Sequence, residues 1–186
     1  MKIIIRLILT LVVAGGIMAP AFCQKKSQNL TIVLIRHGEK PDDGDNLSCK
    51  GFNRSLALSK VLFTKYGQYA AIYVPALKLG NKTKSARMFQ TITPYAVKYN
   101  LNINSSFDEE DYKAIAKEVR KRSGVVIMVW EHNTIPALAR AFGVQGGFLD
   151  WSDEDYDTMW VITYKKNEPT LTRDREGLQP SANCGF

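Results

Sequence analysis

The sequence predicts an α/β fold built on a mostly parallel sheet covered on both faces by helices. Three observations carry that expectation. Two apolar runs, Ile32-Val33-Leu34-Ile35 and Val125 to Trp130, have strand length and contain nothing polar, as strands buried on both faces do. Segments with apolar residues at helical spacing alternate with the strand-like runs, which is the order of a parallel sheet with crossover helices. Each run also ends in a polar cluster, Arg36-His37-Gly38 after the first and Glu131-His132 after the second, where open α/β sheets place their ligand sites. His37 and His132 are the only histidines in the chain.

Residues 1–21 read as a secretory signal: Lys2 and Arg6 give positive charge, Leu7 to Val13 an apolar stretch, and Ala19-Pro20-Ala21 a small-residue cleavage site. Gly15, Gly16 and Pro20 interrupt the apolar stretch before it reaches the ~20 residues a spanning helix needs, so no stable membrane insertion is expected after cleavage. Residues 22–186 then form a single domain, exported to the periplasm or secreted. A lipid anchor on Cys23 is the alternative, and Phe22 is a poor residue to precede one.

Along the mature chain, Gln24 to Asn29 leads into a first strand, Leu30 to Ile35. Residues 38–47 carry the Gly, Pro, Asp and Asn of a loop. Ser48 can cap a helix from Lys50 to Tyr66, with Leu58, Val61 and Leu62 on one face. Tyr69 to Val74 is a second strand, stopped at Pro75. The loop from Lys78 to Lys84 leads into a helix opening at Ser85-Ala86-Arg87, which Pro94 should kink or restart before Tyr99. A third strand is expected over Leu101 to Ile103, followed by the acidic loop Asp108 to Asp111. Tyr112, Ile115, Ala116 and Val119 mark a third helix, and Ile135, Leu138, Ala139 and Phe142 a fourth, closed by Gly143. After the turn-rich stretch Gln145 to Asp157, two short strands, Met159 to Tyr164 and Thr170 to Arg173, are joined through Asn167-Glu168-Pro169. Trp151, Tyr156 and Trp160 are read as core and rim packing.

The formal charge is +7, or +5 without Lys2 and Arg6. The basic residues are scattered and alternate with apolar positions, which argues for solvated helix faces and against nucleic acid as a partner. The mild positive field suits an anionic substrate. Three cysteines, Cys23, Cys49 and Cys184, allow one disulfide with one thiol left over, and all three pairings stay open. Their spacing matches no metal motif.

If both histidines emerge at one sheet edge, Arg36 lies beside the first, and Arg87 opens a helix alongside Ser85, Gln90 and Thr91. Two guanidiniums, two imidazoles and helix N-terminal amides suit a tetrahedral dianion. One cation about 4 Å from a phosphate charge contributes roughly 4 kcal/mol at an effective dielectric near 20, so two arginines can hold a phosphoryl group without a metal or any other cofactor. A neutral histidine aimed at the phosphorus is a competent nucleophile.

Five blocks in order, spanning about residues 30 to 165, resemble the histidine phosphatase superfamily, which includes phosphoglycerate mutase-like enzymes. They are Arg36-His37-Gly38 with the following Glu39-Lys40-Pro41, Leu47-Ser48-Cys49-Lys50-Gly51-Phe52-Asn53-Arg54, Ser85-Ala86-Arg87, Gln90-Thr91, and Trp130-Glu131-His132. The Glu-Lys-Pro extension is similar to a bacterial subgroup of the smaller branch. The resemblance implies a three-layer, phosphoglycerate mutase-like α/β sandwich and metal-independent phosphatase chemistry on a phosphorylated small molecule or phosphoprotein. By the same carry-over His37 is the phosphorylated nucleophile, and Arg36, Arg87 and His132 grip the phosphoryl oxygens. Two departures concern the acid. Glu131 stands where the family has glycine, and Asn133 where the larger branch has its aspartate. Glu131 is therefore the first candidate for proton donor, with Asp108, Glu109, Glu110 and Glu39 as alternatives. Arg54 is read as buttressing the loop.

Two rival readings remain on these residues. His37, Glu39, Glu131 and His132 could be taken for a metal cage, but Arg36 would repel the ion. A non-catalytic phosphoanion-binding or interaction protein on the same fold is the other. A mutase would need to shelter its phosphohistidine from water and suits export poorly.

Overall fold

The computed structural model describes residues 29–67, 71–78, 80, 85–147 and 149–186. The secretory segment expected over residues 1–21, Cys23 and the start of the second strand at Tyr69 lie outside the described residues. Among the described residues, six strands and four helices follow in the order β1 (Leu30–Arg36), α1 (Cys49–Tyr66), β2 (Ala71–Pro75), α2 (Ala86–Tyr99), β3 (Ile103–Phe107), α3 (Tyr112–Val119), β4 (Gly124–Trp130), α4 (Ile135–Ala141), β5 (Thr158–Lys165) and β6 (Glu168–Arg175). They form one sheet in the order β3-β2-β4-β1-β5-β6. β1, β2, β3 and β4 run parallel, and β5 and β6 close the sheet as an antiparallel hairpin against β1.

The alternation of side chains along a strand builds a core on each face. Leu30, Ile32 and Leu34 of β1 and Val126, Met128 and Trp130 of β4 pack on the side of α3 and α4. Val33 and Ile35 of β1 and Ile127 and Val129 of β4 face the other way, against Leu58 and Leu62 of α1 and Met88, Ile92 and Tyr95 of α2. Helix pairs on both faces make three layers, as expected for a phosphoglycerate mutase-like sandwich. No helix among the described residues is long and apolar enough to cross a membrane.

Ser48 caps α1, its hydroxyl accepting from the Gly51 amide. Three local expectations are corrected. β3 begins at Ile103 rather than Leu101, because Asn100 turns left-handed (φ 52°) to end α2 and the Leu101 amide still donates to the Ala96 carbonyl. Pro94 does not restart α2, which runs unbroken from Ala86 to Tyr99. The β5–β6 turn is the pair Lys166-Asn167, both at positive φ, and Pro169 lies inside β6, where an edge strand tolerates it.

The disulfide is Cys49–Cys184, which resolves the pairing left open by the sequence. It ties the C-terminal tail to the first turn of α1, where Asn53 also donates to the carbonyls of Ser181 and Asn183 and the Phe52 and Phe186 rings meet edge to face at 4.7 Å.

Candidate active site

The register of β1 on β4 sets Arg36 opposite Trp130, and the His37 amide donates to the Trp130 carbonyl at 3.3 Å. Both histidines therefore leave the sheet at the same carboxyl edge, side by side, with ring centroids 6.4 Å apart. His37 is buried (1 % exposed), and its Nδ1 lies 2.6 Å from the Gly38 carbonyl. A carbonyl only accepts, so Nδ1 carries a proton and Nε2 is the nitrogen turned towards Glu131, at 3.1 Å. The Gly38 amide donates to the Thr91 hydroxyl, which donates to the Arg87 carbonyl. Gln90 accepts from the Leu47 amide and donates to Asn46. The Gln90-Thr91 pair thus fastens the 38–48 loop to the start of α2.

Glu131 bridges the two imidazoles. One carboxylate oxygen, Oε2, lies 3.1 Å from His37 Nε2, and Oε1 contacts His132 Nδ1. Burial would raise its pKa, but the His37 hydrogen bond and the two neighbouring histidine charges outweigh burial and hold it down to about 2. His132 Nε2 lies 2.8 Å from Asp153 Oδ1, which fixes the ring.

Arg36 sits in a cage that the turn-rich 145–157 stretch supplies. One terminal nitrogen, Nη1, donates to the carbonyls of Ser152 (3.2 Å) and Asp153 (2.6 Å). Its other terminal nitrogen, Nη2, is 3.2 Å from His132 Nδ1, and the guanidinium lies 3.8 Å above the Tyr156 ring centroid. Trp151, packed on Trp160, donates its indole N–H to the Asp155 carbonyl and so holds the cage turn. Arg36 Nε is buried and has no hydrogen-bond partner among the described residues. Asp153 and Tyr156 were missed as site residues, since a turn stretch without periodicity carries no signal for what it will fold against.

Arg87 joins the site from the side. It lines a cleft of about 270 Å³ with Glu109, Glu131, Asp45, Lys78 and Ser85. Its guanidinium donates to the carbonyls of Gly44 and Asn46, so it clamps the 38–48 loop as well as facing the cleft. Ser85 precedes α2 in a left-handed conformation (φ 59°) and makes no side-chain cap, which leaves the first-turn amides of α2 without that acceptor.

Among the acid candidates, only Glu109 shares this cleft with Glu131. Its backbone is held by the Trp130 indole, which donates to the Glu109 carbonyl at 2.8 Å. Burial and the charge of Glu131 push its carboxyl above the usual range. Asp108 pairs with Lys78 but does not itself line the cleft. Glu39 is buried under the loop and receives two hydrogen bonds from Arg54, at 2.9 and 2.8 Å, while Arg54 also reaches Glu176 at 2.5 Å. The Glu39–Arg54–Glu176 cluster is a buttress, as read for Arg54.

His37, Glu131 and His132 bring possible ligand atoms within 4.8 Å of one another, the convergence a metal cage requires. The Arg36 guanidinium 3.2 Å from His132 Nδ1 sets a fixed cation against any ion there, so the residues fit an anion better.

No family description matches the sequence, and no curated protein is similar to it. Solved structures are similar in fold. The protein histidine phosphatase SixA complexed with tungstate matches with TM-score 0.54 at 15 % identity, over 78 % of this chain and 97 % of that one. A protein of Agrobacterium tumefaciens assigned as the phosphohistidine phosphatase SixA matches with TM-score 0.52 at 17 % identity, over 81 % and 98 %. The chain has the histidine phosphatase fold. A phosphoserine phosphatase mutant of Entamoeba histolytica, in complex with phosphoserine, shares this histidine phosphatase fold with TM-score 0.52 at 10 % identity, over 80 % and 97 %.

Proposed function

We propose that the protein is an exported, metal-independent phosphomonoester hydrolase working through a phosphohistidine on His37. The observation that carries this reading is the pairing of a locked Nδ1, on the Gly38 carbonyl, with an Nε2 turned towards Glu131, which lines the cleft, while the His132 ring lies 6.4 Å away with Arg36 on its Nδ1. Once Glu131 has swung aside and the proton that Nε2 donates to it has passed to solvent, His37 Nε2 attacks phosphorus, the ester P–O bond breaks, and the leaving oxygen takes a proton from Glu109. Water then attacks the phosphohistidine, giving its proton to the Glu109 carboxylate, and the N–P electron pair returns to Nε2. Glu109 replaces Glu131 as donor because its carboxyl is held towards the protonated form, whereas Glu131 is held anionic. The unpaired Arg36 Nε supports an anionic ligand, since a buried donor without an acceptor costs about 1–3 kcal/mol. Arg87 and His132 complete the grip on the phosphoryl oxygens. The Cys49–Cys184 disulfide supports an oxidising compartment. The substrate class is a phosphorylated small molecule or a phosphoprotein, in keeping with the phosphohistidine and phosphoserine of the similar structures.

The test is hydrolysis of an aryl phosphate by the purified protein with and without EDTA. Activity unaffected by EDTA and lost in His37→Ala is expected, together with an acid-labile, alkali-stable phosphoprotein absent from that variant. Wild type as inactive as His37→Ala from acidic to neutral pH sinks the enzyme reading and leaves a phosphoanion-binding protein.

A further inference from the structure

We propose that Glu131 occupies the place of the phosphoryl group and sets how tightly oxyanions bind, so that substrate enters, and inorganic phosphate leaves, against a built-in competitor. The inference rests on the assignment of His37 as nucleophile. A phosphorus in line for attack must come within about 3–3.5 Å of His37 Nε2. Glu131 Oε2 already lies 3.1 Å from that nitrogen. Its other oxygen, Oε1, is on His132 Nδ1, the atom next to the Arg36 guanidinium and expected to grip a phosphoryl oxygen. One carboxylate thus spans the nitrogen that would attack phosphorus and a group that would receive a phosphoryl oxygen, and two anions cannot share that position.

The backbone around Glu131 keeps its place while the side chain has somewhere to go. The Glu131 carbonyl accepts from the amides of Thr134 (3.0 Å) and Ile135 (3.1 Å) and from the Thr134 hydroxyl (2.9 Å), so the start of α4 anchors it. The side chain is a quarter exposed and borders the cleft that Arg87 and Lys78 also line. Displacement therefore needs only rotation about side-chain bonds towards cations. Substrate contacts beyond the phosphoryl group would offset the cost of displacement, and free phosphate, which has none, is expelled. The position ahead of the second histidine becomes a determinant of product inhibition.

The experiment is calorimetric titration of wild type, Glu131→Gln and Glu131→Gly with tungstate and with inorganic phosphate, alongside KM and phosphate inhibition on an aryl phosphate. Both variants are expected to bind tungstate at least about tenfold more tightly, with the phosphate inhibition constant and KM falling in parallel. Equal or weaker tungstate binding in both variants overturns the proposal. So does a fall in kcat at unchanged oxyanion affinity, which makes Glu131 a proton donor. The two readings separate cleanly. Tighter tungstate binding in a protein that hydrolyses no ester upholds the competitor and removes the phosphatase, whereas hydrolysis with unchanged tungstate affinity does the reverse.

Discussion

Gly51, in the first turn of α1, lies directly beneath the backbone of Glu39. A methyl group on Gly51 would come 2.7 Å from the Glu39 amide nitrogen, and one on Gly38 would come 2.9 Å from the Gly51 carbonyl oxygen. The loop that follows the nucleophile therefore rests on α1 by backbone-to-backbone contact. Ser48 reinforces the seat, since both its amide and its hydroxyl donate to the Glu39 carbonyl.

Gly51→Ala should push that loop off α1 and tilt the His37 ring. We expect kcat on an aryl phosphate to fall at least about tenfold, with a stability loss of about 1–3 kcal/mol from overpacking. Urea denaturation and steady-state kinetics check both, and a fully active variant shows the contact to be dispensable.

Glu109→Gln should lower kcat by about 10²–10⁴ on alkyl phosphates, whose leaving oxygen needs a proton. Nitrophenyl phosphate, with a far better leaving group, should lose much less. A leaving-group series compares the two, and equal losses on both substrates would place Glu109 outside proton transfer.

Glu176 gives a pH dependence of stability. Burial raises its pKa from 4.5 to about 8, more than the adjacent Arg54 charge lowers it, with Asp157 and Glu39 adding to the rise. One guanidinium between two carboxylates leaves Glu39 ionised and Glu176 protonated. The folded state then holds a proton that the unfolded chain releases, so stability falls as pH rises from about 4.5 to about 8. At pH 7 the cost is roughly 3 kcal/mol. Glu176→Gln, neutral in both states, should flatten the profile of unfolding free energy over that window. Parallel wild-type and variant profiles would refute the assignment.

The Cys49–Cys184 bridge spans 135 residues of chain, for which the loss of unfolded-state entropy is worth ~5 kcal/mol. The double variant Cys49→Ser/Cys184→Ser should lose about 2–5 kcal/mol in urea denaturation, and dithiothreitol should reproduce the loss in wild type. Unchanged midpoints would show the tail to be held without the bridge, by contacts such as those of Asn53, Phe52 and Glu176.

Local pattern was enough for most of the fold. The runs Ile32 to Ile35 and Val125 to Trp130 are apolar on both sides, and a strand with no polar face has to lie inside the sheet with its ends at the edges. His37 and His132 were legible as neighbours for that reason, and Arg54 as a buttress because such an arginine is more often structural than a phosphate ligand. The boundaries that slipped were those where a turn outweighs hydrophobicity. Asn100 ends α2 before Leu101 can start a strand, and the positive φ of Lys166 and Asn167 moves the hairpin turn ahead of Pro169.

By itself, then, the sequence determined a parallel-sheet sandwich and the carboxyl edge at which His37 and His132 emerge, because each follows from the periodicity of its own segment, while the grouping of Arg36, His37, Arg87 and His132 as one phosphoryl site is what the resemblance implies. Only the tertiary structure decided which way each site carboxylate is shifted, which cysteines pair and what surrounds Arg36. Those depend on burial and on distances between segments far apart in the chain. Glu131 sits between two imidazoles and stays charged, Glu109 sits beside Glu131 and is pushed towards its acid form, and Asp153 and Tyr156 reach the site from a stretch with no periodicity at all.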